Sequence, residues 1–153
     1  MSSLRSSSRW RIAIACVATL GCTDYPDAYA AFLDLPRDQR AAAIAGYPPE
    51  QQVDLYLWDL RVKHPPALEL ADAVARSGDR VLPILVRRIA TEESERTRVD
   101  LLYVVLRIQE LGVVDVAQDT EIMSALGAYV ASIEDPDWNR QARDILIGIQ
   151  TAP

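Results

Sequence analysis

Twenty-two carboxylates, one imidazole and two thiols are the side chains here that could move a proton, hold a metal or attack a substrate. Hydrolysis of a glycosidic bond needs two carboxylates several ångströms apart, one of them kept neutral as the acid. The candidates are Glu92, Glu93, Glu95, Asp115, Asp119, Glu134, Asp135 and Asp137. Each sits at a helix start or in a polar turn, where capping and solvation already occupy a carboxylate. His64 lies in VKHPP, at a helix end before two prolines. A general base needs an orienting partner and a cleft, and the sequence shows neither; a helix cap needs neither. With one histidine and no HExxH pattern, no metal site is expected. There is no GxSxG, P-loop or GxGxxG, so no cofactor is implied.

The residue types that favour binding cluster in DPDWNRQAR. Trp138, Asn139 and Arg140 there, with Tyr47 beside Pro48 and Pro49 as a weaker case, are candidate contact residues, because Trp, Tyr and Arg dominate interface hot spots. Trp138 also keeps helical spacing with Ala142 and Ile145, which would instead make it an anchor of the last helix on the core.

These residues must be positioned by helices. Sustained period-two alternation and Asn-Gly hairpin turns are absent, while Pro and Gly fall where helices start and stop. A short helix is expected within 24–35. Pro36 stands at a first helical position, and the helix after it stops at Gly46. Further helices are expected over 50–63 and over 67–77, the latter closed by Gly78. Asp79 is read as the N-cap of a helix containing Pro83 in its first turn. The segment TEESERT reads as a charged turn. Residues 98–111 form the most apolar helix, buried on several sides and central. Helices over 120–133 and from Pro136 onward carry single stripes and belong at the edge.

The segment ALELADAVARSGDRVLPILVRRIA, with its Gly-Asp turn and early Leu-Pro, resembles a HEAT-type helical hairpin. RTRVDLLYVVLRIQELG followed by DTEIMSALGAYVASIED resembles a second, looser one. The expected fold class is all-α: layered antiparallel helical hairpins forming a short HEAT-like α-solenoid, with a compact helical bundle as the alternative.

Both cysteines lie in the first 22 residues, behind Arg5, Arg9 and Arg11. A basic start, the uncharged run IAIACVATL and small residues at its end describe a secretory signal, too short to span a bilayer, which takes about 20 residues. Ala18, Thr19, Leu20, Gly21 and Cys22 resemble the lipobox of bacterial lipoproteins, which signal peptidase II cuts just before an acylated cysteine. The resemblance implies a signal peptide at 1–21, a lipidated tether with a short helix at 22–35, and a single all-α domain at 36–153. Cys16 then leaves with the signal, and acylation of Cys22 leaves no free thiol. Buried lipid methylenes at about 0.8 kcal/mol each anchor the chain firmly. Thr23 rather than Asp after the cysteine implies, by the same resemblance, the periplasmic face of the outer membrane rather than the inner membrane.

Removing three arginines from a formal charge of −6 leaves −9 on the mature chain, with His64 neutral. That balance argues against nucleic acid, whose phosphates need a basic surface. The functional expectation is therefore a non-enzymatic module in the cell envelope. It holds the membrane through the lipid on Cys22 and binds a protein partner in the periplasm. An immunity or inhibitor lipoprotein against a secreted, envelope-targeting toxin is one alternative. A carboxylate-based cell-wall hydrolase is the other.

Overall fold

A computed structural model describes residues 27–63 and 69–152; Cys22, the proposed signal at 1–21 and His64 lie outside the described residues. The all-α expectation holds. Eight α-helices follow one another with no strand among the described residues: α1 Asp27–Leu33, α2 Arg37–Ile44, α3 Pro49–Val62, α4 Glu69–Ala75, α5 Leu82–Thr91, α6 Glu95–Glu110, α7 Thr120–Ala131 and α8 Pro136–Thr151.

Their starts follow local chemistry. Asp119 Oδ1 accepts the amides of Glu121 and Ile122 at 3.1 and 3.0 Å, and Asp135 Oδ1 accepts those of Asp137 and Trp138 at 2.9 and 3.1 Å. Each satisfies backbone donors that the first turn leaves free. Pro49 and Pro136 sit at first helical positions, where no N–H is needed. Pro36 instead takes the cap position just before Arg37.

Two further boundaries differ from expectation. Asp79 does not cap α5; it sits inside a 3-10 turn, Gly78–Arg80, and the helix begins at Leu82 after Val81. The amides of Arg80 and Val81 are already bonded to Ser77 O and Gly78 O at 3.1 Å, so the chain is still turning where a cap would have to be extended. The segment read as a charged turn also yields its second half to α6. Ser94 Oγ accepts the Thr97 amide at 3.3 Å, starting the helix at Glu95, whose charge suits the positive helix end.

The helices pack as four successive pairs: α1 on α2, α3 on α4, α5 on α6, and α7 on α8. The pairs then stack in two rows. The first row runs α1, α3, α5, α7 and the second α2, α4, α6, α8, each helix touching the next in its row. Side chains cross-tie the rows. In the first row, Asp54 of α3 accepts from Tyr29 of α1 at 3.3 Å and from Arg88 of α5. In the second, Arg37 of α2 binds Glu69 of α4 at 2.6 and 3.0 Å, and Arg107 of α6 reaches back to Asp72 of α4 at 2.6 Å.

The core lies between the rows. The helix expected to be central is so: Val99, Leu101, Leu102, Val104, Val105 and Ile108 of α6 are buried, and the helix packs on α4, α5 and α8. Each such side chain contributes roughly 1.5–3 kcal/mol by leaving water. The outer helices bury narrow stripes, Leu126 and Val130 on α7 and Ala142, Ile145 and Ile149 on α8. Helix α1 belongs to the same core, since Phe32 is fully buried and Leu33 nearly so.

Candidate functional site

The carboxylates with the best sequence claim to acid–base work hold the framework together instead. Asp119 and Asp135 are the helix caps already described. Glu95 accepts the amides of Glu134 at 2.6 Å and Asp135 at 3.1 Å, clamping the α7–α8 turn onto the start of α6. Glu92 accepts the Ser94 amide at 3.1 Å, and Asp137 pairs with Arg140 at 2.6 Å. Glu93, Asp115 and Glu134 are exposed on the surface.

A different carboxyl has the environment that acid chemistry uses. Asp100 of α6 lines a cleft of about 270 Å³ with Leu57, Leu60, Arg61, Arg96 and Thr97. Desolvation raises its pKa above the ordinary carboxylate range, against an opposing pull from the Arg96 charge. Its signal in the sequence was its place in RVDLLY, between the core residues Val99 and Leu101. Among the described residues it is the only carboxylate lining that cleft, so they supply no second member of a hydrolytic pair there.

The raised pKa has a consequence for stability. The native state keeps the Asp100 proton to higher pH than the unfolded chain does. Stability therefore falls as pH rises from the ordinary carboxylate range through the raised value. Asp100→Asn is expected to raise the melting temperature at neutral pH and to flatten its decline over that window. A calorimetric pH series checks this; a variant no more stable than the parent at pH 7 contradicts it.

Of the four candidate contact residues, the structure gathers three on α8 and leaves one apart. Trp138 is half-buried against the core. The Asn139 amide donates to Val130 O at 2.9 Å, which also receives the Ile133 amide, and to Ile133 O at 3.1 Å, tying α8 to the end of α7. Arg140 is exposed and paired with Asp137. Trp138 and Arg140 share a shallow cavity of about 330 Å³ with Asp137, Gln141 and Asp144. Tyr47 belongs to the α2–α3 connection, where its ring meets Phe32 edge-on, centroids 5.8 Å apart. Asn139→Ala is expected to cost about 1–2 kcal/mol, since two partly buried hydrogen bonds go at once. Chemical denaturation reads it directly; a loss within error of zero would mean that water replaces the amide.

A further groove is assembled from residues that no sequence motif singles out. It lies between α2 and α4, about 520 Å³, lined by Ala41, Ala45 and Ala73 together with Ser77 and the charged Glu69, Asp72, Arg76 and Arg80. Both of these carboxylates are committed. Glu69 holds Arg37, whose hydrogen bond pulls the Glu69 pKa down to about 2, and Asp72 holds Arg107. Arg76 and Arg80 are exposed and form no ion pair among the described residues. The groove therefore offers two guanidinium groups of matching sign on a chain that is acidic overall. Guanidinium forks favour carboxylate and phosphate oxygens.

Among the described residues no helix is long and apolar enough to cross a membrane. No protein-family model, curated protein or solved structure matches the chain.

Proposed function

We propose that this chain is a lipid-anchored, HEAT-like helical module that acts by binding another protein at the periplasmic face of the outer membrane. The observation that carries the reading is the α2–α4 groove. Its alanines leave room for a partner backbone, and Arg76 and Arg80 carry no ion pair among the described residues and so can take a partner's carboxylate. Stacked helical pairs present such surfaces along one side of the stack, as α-solenoids do. The anchor rests on the resemblance of ATLGC to a lipobox and places the acyl chains on Cys22. The hydrolase reading is the weaker one, because the described residues give the cleft that shelters Asp100 a single carboxylate.

The mature charge of −9 favours one version of the partner, a basic secreted toxin that the module would neutralise. An acidic surface raises the encounter rate with such a protein.

Capture from envelope membranes tests the proposal, using the full chain tagged at its C-terminus beside an Arg76→Glu/Arg80→Glu variant. Mass spectrometry of the tagged protein first establishes acylation at Cys22. The expected result is one stoichiometric protein lost from the variant. Recovery of none, or of a protein held equally by both chains, would sink the reading. An unacylated Cys22 would remove the anchor.

A further inference from the structure

Inner helices of the second row are covered on both sides: α4 lies between α2 and α6, and α6 between α4 and α8. The two end helices each have one open flank. Terminal faces of such stacks are normally polar, because they close the core against water. The α2 end obeys this, its exposed residues being Arg37, Asp38, Gln39 and Ala42. The α8 end departs from this at one position among polar neighbours, Asp137, Arg140, Gln141, Arg143 and Asp144 all being exposed. Ile147 is 55% exposed, the most exposed large hydrophobic side chain among the described residues. It lines an open cavity of about 600 Å³ together with Ile133, Arg140, Arg143 and Asp144.

We propose that this face of α8 is an interface between two copies of the chain, the two α8 helices lying antiparallel about a two-fold axis. Charge selects the occupant. Arg143 and Asp144 are adjacent, of opposite sign, and exposed, and neither forms an ion pair within its own chain among the described residues. With the axis between positions 143 and 144, Arg143 of each copy faces Asp144 of the other. Ile147 of each copy then faces position 140 of the other. The stem of Arg140 covers it there while its guanidinium stays with Asp137. A two-fold interface needs this reciprocity, residue i on j and j on i. A partner of one sign would leave either Arg143 or Asp144 against a like charge. A single helix pair falls below the roughly 1,200–2,000 Å² of standard interfaces, so a weak, reversible dimer is expected.

Sedimentation velocity of the full chain in density-matched detergent micelles tests this. A concentration-dependent monomer–dimer equilibrium is expected. Ile147→Glu should weaken it about tenfold or more, a hot-spot-sized loss. Arg143→Asp alone should weaken it by setting like charges across the axis, and Arg143→Asp/Asp144→Arg should restore it. Because these positions are exposed, helical content and melting temperature report that each variant is folded. A monomer at every concentration overturns the proposal. So does a dimer indifferent to Ile147, as shared micelles would produce, or a double swap that fails to restore association.

Discussion

Gly78→Ala is expected to destabilise the fold by about 2–3 kcal/mol. Gly78 has φ +50°, in the left-handed region that costs an L-residue roughly 1–2 kcal/mol. A Cβ built there would lie 2.5 Å from Val113 Cγ1, a contact that forces Val113 aside. Overpacking of this kind costs about 1–3 kcal/mol. The lower figure applies, because Val113 is 42% exposed and can yield toward solvent. The melting temperature should fall by about 10 °C, given roughly 2–8 °C per kcal/mol for domains of this range of size. Two further variants separate the causes. Gly112 also has positive φ, at +62°, but nothing lies within 4 Å of a Cβ built there. Gly112→Ala should therefore show the backbone cost alone. Val113→Ala added to Gly78→Ala should recover the steric part and leave the backbone part. Equal losses at Gly78 and Gly112 would mean that the Val113 contact carries no energy.

The second large effect lies at Asp59. Its carboxylate is 1% exposed and receives Arg40 Nη1 at 2.6 Å, while Arg40, 8% exposed, also donates to Leu35 O at 2.9 Å. This pair ties α2 and the α1–α2 turn to α3. Asp59→Ala leaves a guanidinium buried without its counter-charge, a change that costs about 3–5 kcal/mol. Arg40→Met/Asp59→Leu removes both charges and should lie within about 1 kcal/mol of the parent, because the desolvation penalty disappears with the attraction. Urea midpoints at constant m-value give both numbers. A double variant as unstable as Asp59→Ala would show that the pair contributes through shape rather than charge.

The helices were legible because their punctuation is local. Pro136 opens α8, Gly112 closes α6, and the apolar positions of α6 recur all round it. A cap is a relation between residues three apart, and periodicity needs one helix. What stayed hidden depends on how one pair of helices is offset against the next. Arg37 and Glu69 are 32 positions apart, and Asp54 and Arg88 are 34 apart. No spacing rule links them until the rows are stacked. Asp59 stands between Trp58 and Leu60, where nothing local distinguishes it from a solvated acid, yet it is the most buried acid among the described residues. Asp100 stands between Val99 and Leu101 in a helix apolar nearly all round, and it shares its cleft with Leu57 and Leu60 of α3, a neighbour that no local spacing names. The start of α6 is masked by the charge of Glu92, Glu93 and Glu95, which suits a solvated turn, although Ser94 among them is a good cap.

The candidate site was legible only in part. Trp138, Asn139 and Arg140 do lie together on α8, but Asn139 serves the end of α7 and Tyr47 serves the packing of Phe32. The α2–α4 groove is assembled from alanines, which carry no chemical signature, and from arginines whose availability is decided by which carboxylates their neighbours take.

The row arrangement also bears on how the chain reaches its fold. Every substantial helix contact joins elements no more than two helices apart in the chain. No distant segments must find each other, so the loops to be closed are short and their entropic cost is low. Chains dominated by such local contacts fold in microseconds to milliseconds. Each pair has its seat as soon as the pair before it has formed. The molecule can thus be built in the order in which it is synthesised, with α8 as the last piece to settle.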